Sequence, residues 1–288
     1  MGIAAARTSW PRRVMMSFLW IALVVMLAVV VPLWAFQARM IYFPSRYEAG
    51  FAAALTDPVS LLTYRCDAGE QSAFYIRPSG GSPPRRVWLV WGGNGMIASQ
   101  WIHHFVRPDI DPEDGFLLID YPGYGANGGS PSPRSILAAS EAAADAIAAK
   151  FGWSPSERSA RLAVFAHSLG CAAALQFMAK HPVESAVLVS PFTDLMSMAR
   201  MTVGWPLCHL LTHRFDNRAR LAEIYTRPDA PPITIVHGTQ DEVIPIAMGR
   251  ALAAEFPGVR FDEVADAGHN DIIDDARDRL LAAMARPR

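Results

Sequence analysis

The chain reads as an α/β domain with a mostly parallel central sheet and helices on both faces, preceded by one N-terminal transmembrane helix. Three observations predict this. Past residue 70, short β-branched or apolar runs alternate with helix-period segments, the pattern of strands and crossover helices in a parallel sheet. Residues 14–36, VMMSFLWIALVVMLAVVVPLWAF, carry no charge. Residues able to act as nucleophile, base and acid recur just beyond strand ends, where open α/β sheets build their sites.

The apolar run comes first. A hydrocarbon core of about 30 Å needs roughly 20 apolar helical residues, so 14–36 is long enough to span. A cleavable signal peptide has a shorter apolar stretch, roughly 7–15 residues, ending in small residues. Here Leu33 and Phe36 stand at the candidate cleavage positions, so an uncleaved signal anchor is expected. Arg7, Arg12 and Arg13 precede the span, whereas Arg39 and Arg46 follow it among acidic neighbours such as Glu48 and Asp57. The positive-inside rule then leaves residues 1–13 in the cytoplasm and carries the 40–288 domain outside it, into the periplasm in a bacterium. Trp10, Trp20, Trp34 and Tyr42 suit interfacial aromatic belts. The expectation is a single-pass membrane protein.

The strands predicted beyond the anchor are residues 72–77, 87–91, 116–119, 162–166, 186–189, 233–236 and 260–264. Helices are predicted near 97–105, 134–151, 169–180, 245–256 and 272–284. Residues 79–86, with their Pro and Gly, read as a hairpin or a loop between strands. The interval 192–232 lacks a strand and reads as a short cap-like insertion. Its Met196, Met198, Met201, Trp205, Leu207, Leu210 and Leu211 either pack it onto the sheet or form an adaptable lining for an acyl chain.

Composition excludes several classes. Lys+Arg number 26 against 27 Asp+Glu, a net charge of -1, so no general attraction to nucleic acid is expected. The three cysteines, Cys66, Cys171 and Cys208, contain no C-x-x-C pair and read neither as a disulfide framework nor as a thiolate zinc site. A single Cys66–Cys208 bridge stays open as an alternative in an oxidising compartment. Gly123, Gly125 and Gly128 spell G-x-G-x-x-G, but Ser130, Pro131 and Pro133 delay the helix that a dinucleotide site requires, so no cofactor is expected. His209 and His213 lack a third ligand, and the adjacent His103 and His104 cannot face one way on a helix, so no metal is expected either.

The chemistry concentrates in three places. LAVFAHSLG puts Ser168 between a buried strand and an amphipathic helix, close to the G-x-S-x-G pattern of a nucleophile on a tight strand-to-helix turn, with Ala166 for the first glycine. ITIVHGTQDEVIP puts Asp241 past a later strand, and FDEVADAGHNDI puts His269 past the last. The order Ser, Asp, His is one of the orders in which such triads occur. In that arrangement His269 takes the Ser168 proton and Asp241 orients His269. Ordinary readings exist for each: Ser168 and Asp241 as helix caps, His269 as a loop histidine, with Asp194 an alternative acid. Oxyanion donors are expected from the backbone of Leu169 and of Asn94 in LVWGGNGM.

With these residues in place the chain resembles the serine α/β-hydrolases, and within them the membrane-anchored branch of the fungal bud-emergence-suppressor proteins and the animal hydrolases acting on lipids or S-acylated proteins. The matching stretches run in order past residue 40: MIYFPSR, WLVWGGNG, LLIDYPGYGANGGSPS, AVFAHSLG, VLVSPFTDL, HRFDNRARL, IVHGTQDEVIP and AGHND. The family's His-Gly-Asn-Ala-Gly loop is altered here, with Gly92 at the His position and Met96 at the final Gly. The resemblance implies an α/β-hydrolase fold, with Ser168, Asp241 and His269 catalytic, Asn94 and Leu169 forming the oxyanion hole, and Gly93, Tyr121, His167 and Met196 binding substrate. It implies a serine hydrolase cleaving esters or thioesters of small-molecule or lipid substrates through an acyl-serine. The alternatives are a serine peptidase on the same fold and a catalytically silent, membrane-tethered binding protein.

Overall fold

The computed structural model describes residues 10–285. Arg7 and the side chain of Trp10, used in the orientation argument, lie outside the described residues. Eight strands form one sheet: β1 (Val59–Cys66), β2 (Gly69–Ile76), β3 (Arg86–Trp91), β4 (Asp114–Ile119), β5 (Leu162–His167), β6 (Ala186–Val189), β7 (Ile233–Gly238) and β8 (Val259–Val264). Their order is β1-β2-β4-β3-β5-β6-β7-β8. β1 and β2 pair antiparallel, β2 joins β4 antiparallel, and every pairing from β4 to β8 is parallel. The helices are α1 (Trp10–Ile41), α2 (Ile102–Phe105), α3 (Pro133–Phe151), α4 (Pro155–Arg161), α5 (Leu169–Lys180), α6 (Leu195–Val203), α7 (Asn217–Tyr225), α8 (Ile246–Glu255), α9 (Ile272–Asp275) and α10 (Arg277–Met284).

The central strands are buried on both faces, which is why they read as continuous apolar runs. In β3, Val87, Leu89 and Trp91 face a core shared with α3, α5 and α7, while Trp88 and Val90 face a second core containing Trp101, Phe105 and Leu280. The helices begin where local chemistry favours it. Ser132 caps α3 by accepting from the Ser135 N–H at 3.0 Å, Pro133 occupies the first turn, and Gly152 ends the helix at φ 64°.

Several elements depart from expectation. β1 was not anticipated: it is an edge strand with only Tyr64 buried, so its sequence lacks a buried run. The polar helix α4 buries no residue and is announced only by its cap, where Ser154 and Glu157 form a reciprocal capping box. Residues 97–105 hold a 3₁₀ turn (Ala98–Trp101) followed by one α turn, and the C-terminal helix is divided at Ala276 into α9 and α10.

The 192–232 interval is not uniform. α7 belongs to the helical layer, packing on α5 with Leu221 and Ile224 fully buried. The cap is confined to α6 and the 3₁₀ turn Leu207–Leu210. α1 runs beyond 14–36 at both ends, because helical hydrogen bonding continues through Gln37 and Arg39 after apolarity stops. Within Arg12–Ile41 an 18-residue stretch has a mean hydropathy of 2.9, and the helix is long and apolar enough to cross a membrane. Its last turns touch the cap.

Arg86 and Asp114 form a buried ion pair at the start of β3 and β4. Nε and a terminal nitrogen of Arg86 donate to the two carboxylate oxygens at 3.1 and 2.5 Å, and Trp88 Nε1 donates to Asp114 Oδ2 at 2.8 Å. Removing Asp114 leaves the buried Arg86 guanidinium with the more distant Glu184 carboxylate, 3.9 Å away. Asp114→Ala is expected to destabilise the protein by about 3–5 kcal/mol, measurable as a lower urea midpoint.

Candidate active site

Ser168 stands between the end of β5 and the first turn of α5, with φ 56° and ψ −122°. This backbone is unfavourable for a residue bearing a Cβ, and such strain persists only where the surroundings enforce it. Here the Ser168 N–H donates to Val189 O of β6 at 2.9 Å, and Ser168 O accepts from the Cys171 N–H at 3.0 Å. Two positions on, a Cβ on Gly170 would lie 2.3 Å from Trp91 O, so α5 packs against the end of β3 more closely than any side chain permits.

The loops after β7 and β8 bring the other two groups to this turn. His269 Nε2 lies 3.0 Å from Ser168 Oγ, and His269 Nδ1 lies 2.8 and 3.0 Å from the two Asp241 oxygens. A carboxylate only accepts, so Nδ1 carries the hydrogen and Nε2 is left to accept from the serine hydroxyl. Asp241 is fixed in turn by the Ile244 N–H at 2.7 Å and the Val243 N–H at 3.0 Å, and His237 Nε2 stands 3.3 Å from its Oδ2. Burial by itself would raise the Asp241 carboxyl. The hydrogen bonds from His237, His269 and Ile244 outweigh it and hold this carboxyl well below the usual range.

His167 braces His269 from behind. Its Nε2–H donates to His269 O at 2.9 Å, and burial, aided by neighbouring His269, pushes its pKa down to about 3, so it stays neutral. The His269 N–H donates to Glu242 Oε2 at 3.2 Å. Backbone, ring and carboxylate are therefore held independently.

The loop after β3 supplies the remaining groups. Neither the Asn94 N–H nor the Leu169 N–H has an acceptor among the described residues. Tyr121 OH donates to Gly92 O at 2.6 Å, Tyr124 OH to Asn94 O at 2.5 Å, and Asn94 Nδ2 to Ile41 O at 3.1 Å. A side chain at 92 would meet Trp101 Nε1 at 2.6 Å, so the indole fills the room a histidine would need. Gly93 adjoins the serine, its missing Cβ falling 3.8 Å from Ser168 Oγ. Above Ser168, Leu169 and Asn94 lies a cavity of about 270 Å³, closed by α1, α6 and Ile244, with no charged residue in its lining.

A model of the α/β-hydrolase family matches residues 89–227, and one of the α/β-hydrolase fold matches residues 207–276. An uncharacterised protein of Mycobacterium tuberculosis is 30% identical over 262 residues, which is 87% of each chain. Alpha/beta hydrolase domain-containing protein 17B of Homo sapiens is 31% identical over 236 residues, 81% of this chain and 76% of that one. The chain belongs to the α/β-hydrolase family. Solved structures match its fold: an alpha-beta hydrolase from Vibrio vulnificus superposes with a TM-score of 0.69 at 16% identity, covering 88% of this chain and 94% of that one. An esterase from Pyrococcus furiosus gives 0.60 at 13%, covering 85% and 95%.

Not every residue expected at this hydrolase's site lies there. Ser168, Asp241, His269, Asn94, Leu169 and Gly93 converge. His167 and Tyr121 are buried behind the site and support His269 and the Gly92 carbonyl without lining the cavity. Met196 does not face the cavity. Leu195, Met198, Ala199 and Thr202 do, because the 3.6-residue period of α6 brings those positions to one side. Asp194 caps α6, accepting from the Ser197 N–H at 2.7 Å, and is committed there. Asp120 accepts from Tyr47 OH and the Ala98 N–H, and burial pushes its carboxyl up to about 6.

The α1 residues at the cavity were missed, although Gln37, an uncharged polar residue closing the apolar run, was a usable signal. For Gly170→Ala, the Cβ meets main-chain carbonyls that cannot yield. We expect a loss of about 1–3 kcal/mol in chemical denaturation, as α5 and Ser168 shift away from β3.

Proposed function

We propose that this α/β-hydrolase is a serine hydrolase, anchored by α1, that cleaves carboxylic esters or thioesters through an acyl-Ser168 intermediate. The observation that carries the reading is the unbroken chain from Ser168 Oγ through His269 to Asp241, at 3.0 and 2.8 Å, under an uncharged cavity.

The geometry supports the following sequence. Ser168 Oγ attacks the substrate carbonyl carbon while its proton passes to His269 Nε2. Asp241, ionised and hydrogen-bonded to Nδ1–H, stabilises the imidazolium. The carbonyl oxygen takes up negative charge between the free N–H groups of Asn94 and Leu169. The bond to the leaving alkoxide or thiolate breaks, and the leaving group takes the proton from His269. Water then attacks the acyl carbon, giving its proton to His269, and Ser168 departs with that proton as the acid is released.

An apolar cavity without a charged side chain favours an acyl chain over a peptide. The intact hydrogen-bonded chain speaks against a silent binding protein. Anchoring rests on α1. Cleavage near residue 36 would remove Leu33, which helps wall the cavity, and this supports an uncleaved anchor. Arg12 and Arg13 ahead of the span support an extracytoplasmic domain.

Fluorophosphonate labelling followed by mass spectrometry tests the reading: the label is expected on Ser168 and absent from Ser168→Ala, whereas a folded wild type that takes no label would refute it. Asp241→Asn is expected to lower kcat/KM by about four orders of magnitude, because the imidazole loses its tautomer.

A carboxyl with a depressed folded pKa contributes stability above its unfolded value of roughly 3.9, and loses it only as pH falls through the lower folded one. Asp241 is therefore ionised throughout the working range. No ionisation of this carboxylate is expected on the acid limb of the kcat/KM profile, and a carboxylate ionisation appearing there would contradict the assignment.

A further inference from the structure

α1 forms part of the cavity. From its last apolar turns onward, Val30, Leu33, Gln37, Ala38 and Ile41 are partly or fully buried, at the spacing of one helical face, while the opposite face is exposed. Gln37 is 9% exposed and fully engaged. Its Oε1 accepts from the Thr212 N–H at 2.7 Å and Thr212 Oγ1 at 2.9 Å, and its Nε2 donates to Trp34 O at 2.8 Å and Leu210 O at 3.4 Å. A flexible tether would not bury a satisfied amide between itself and the cap.

The cavity follows that contact outward. It begins at Ser168 and extends between α1 and α6 to Leu33, which lies three residues before the end of the apolar run at Phe36. In a spanning α1 this puts Leu33 at the edge of the hydrocarbon layer. On the cap, Met201 and Trp205, which do not line the cavity, are 59% and 73% exposed, and on α1 the lining residue Met40 is 46% exposed. An exposed tryptophan two residues ahead of the 3₁₀ turn that touches α1 is the kind of residue that settles at a bilayer interface.

We infer that α1 is one wall of the acyl site, and that the opening between Leu33 and the cap admits the acyl chain of a lipid ester directly from the adjoining leaflet. The inference rests on the serine-hydrolase reading and deepens it: the chain slides along α1 with its ester leading to Ser168, and Leu33 gauges its length and bulk. A membrane lipid is the occupant the surface favours, since Leu33, Gln37, Met40 and Ile41 of α1 line the cavity and its uncharged lining suits hydrocarbon.

The test uses the full chain in phosphatidylcholine nanodiscs with butyrate, octanoate and palmitate esters, comparing wild type with Leu33→Trp and Leu33→Ala. The palmitate-to-butyrate ratio of kcat/KM is expected to fall by about tenfold or more in Leu33→Trp and to rise in Leu33→Ala, the scale of selectivity that small changes in an apolar pocket produce. An alkyl fluorophosphonate with a diazirine at its tail is added in parallel. After bonding to Ser168 and photolysis it is expected to crosslink α1 near Leu33 or Met40.

Ratios that do not move, or move the same way in both variants, while wild type still labels at Ser168, overturn the port and leave the hydrolase reading standing. Crosslinks that avoid α1 do the same. Absence of label on wild-type Ser168 overturns both. Turnover confined to an S-acylated peptide, with no cleavage of diacylglycerol in the same discs, overturns the lipid occupant.

Discussion

The backbone of Ser168 is held at a positive φ, and the arrangement of the site depends on that turn. It is kept there by the sheet. β5 ends between β3 and β6, so the Ser168 amide is claimed by Val189, while α5 begins at once and presses Gly170 onto the carbonyl of Trp91. Relaxing the turn would break a strand hydrogen bond and separate a helix from the sheet. The strain is therefore maintained by contacts much larger than itself, and the serine oxygen is presented at a fixed point from which the other groups can be measured.

Polar groups are then buried around that point without being left unmet. Asp241 accepts from main-chain N–H groups and from His269, and His237 Nε2, which is 2.9 Å from Ile244 O, stands 3.3 Å from its Oδ2. These bonds overcome the cost of desolvating its charge and keep it ionised where an isolated buried carboxyl would protonate. His167 contributes by remaining neutral, since its single donor holds the His269 carbonyl and introduces no charge to compete with Asp241 for the imidazole. The altered loop at Gly92 fits the same logic. Rigidity comes from the hydroxyls of Tyr121 and Tyr124 and from the indole of Trp101, and a histidine there would have no space.

The N-terminal helix joins this system at its far end. The Ile41 carbonyl accepts from the Asn94 side chain, so the loop carrying the Asn94 amide is tied to the last turn of α1. The Gln37 amide ties the preceding turn to the cap. The N-terminal helix is thus hydrogen-bonded both to the loop of Asn94 and to the segment that follows the cap.

Much of this was legible before any coordinates. Apolar periodicity was enough for the parallel core of the sheet, because strands buried on both faces must be apolar throughout, and motif spacing was enough to single out Ser168, Asp241 and His269 in the loops and turns that follow β5, β7 and β8. The edge strand β1 and the polar helix α4 escaped for the converse reason: they bury too little to imprint a pattern. Met198 in place of Met196 depended on the rotation of α6 about its axis, which packing sets. His237 as a partner of Asp241, and α1 as a wall of the cavity, required knowing which distant segments meet. Such contacts are made by side chains from separate elements, and no local periodicity encodes them.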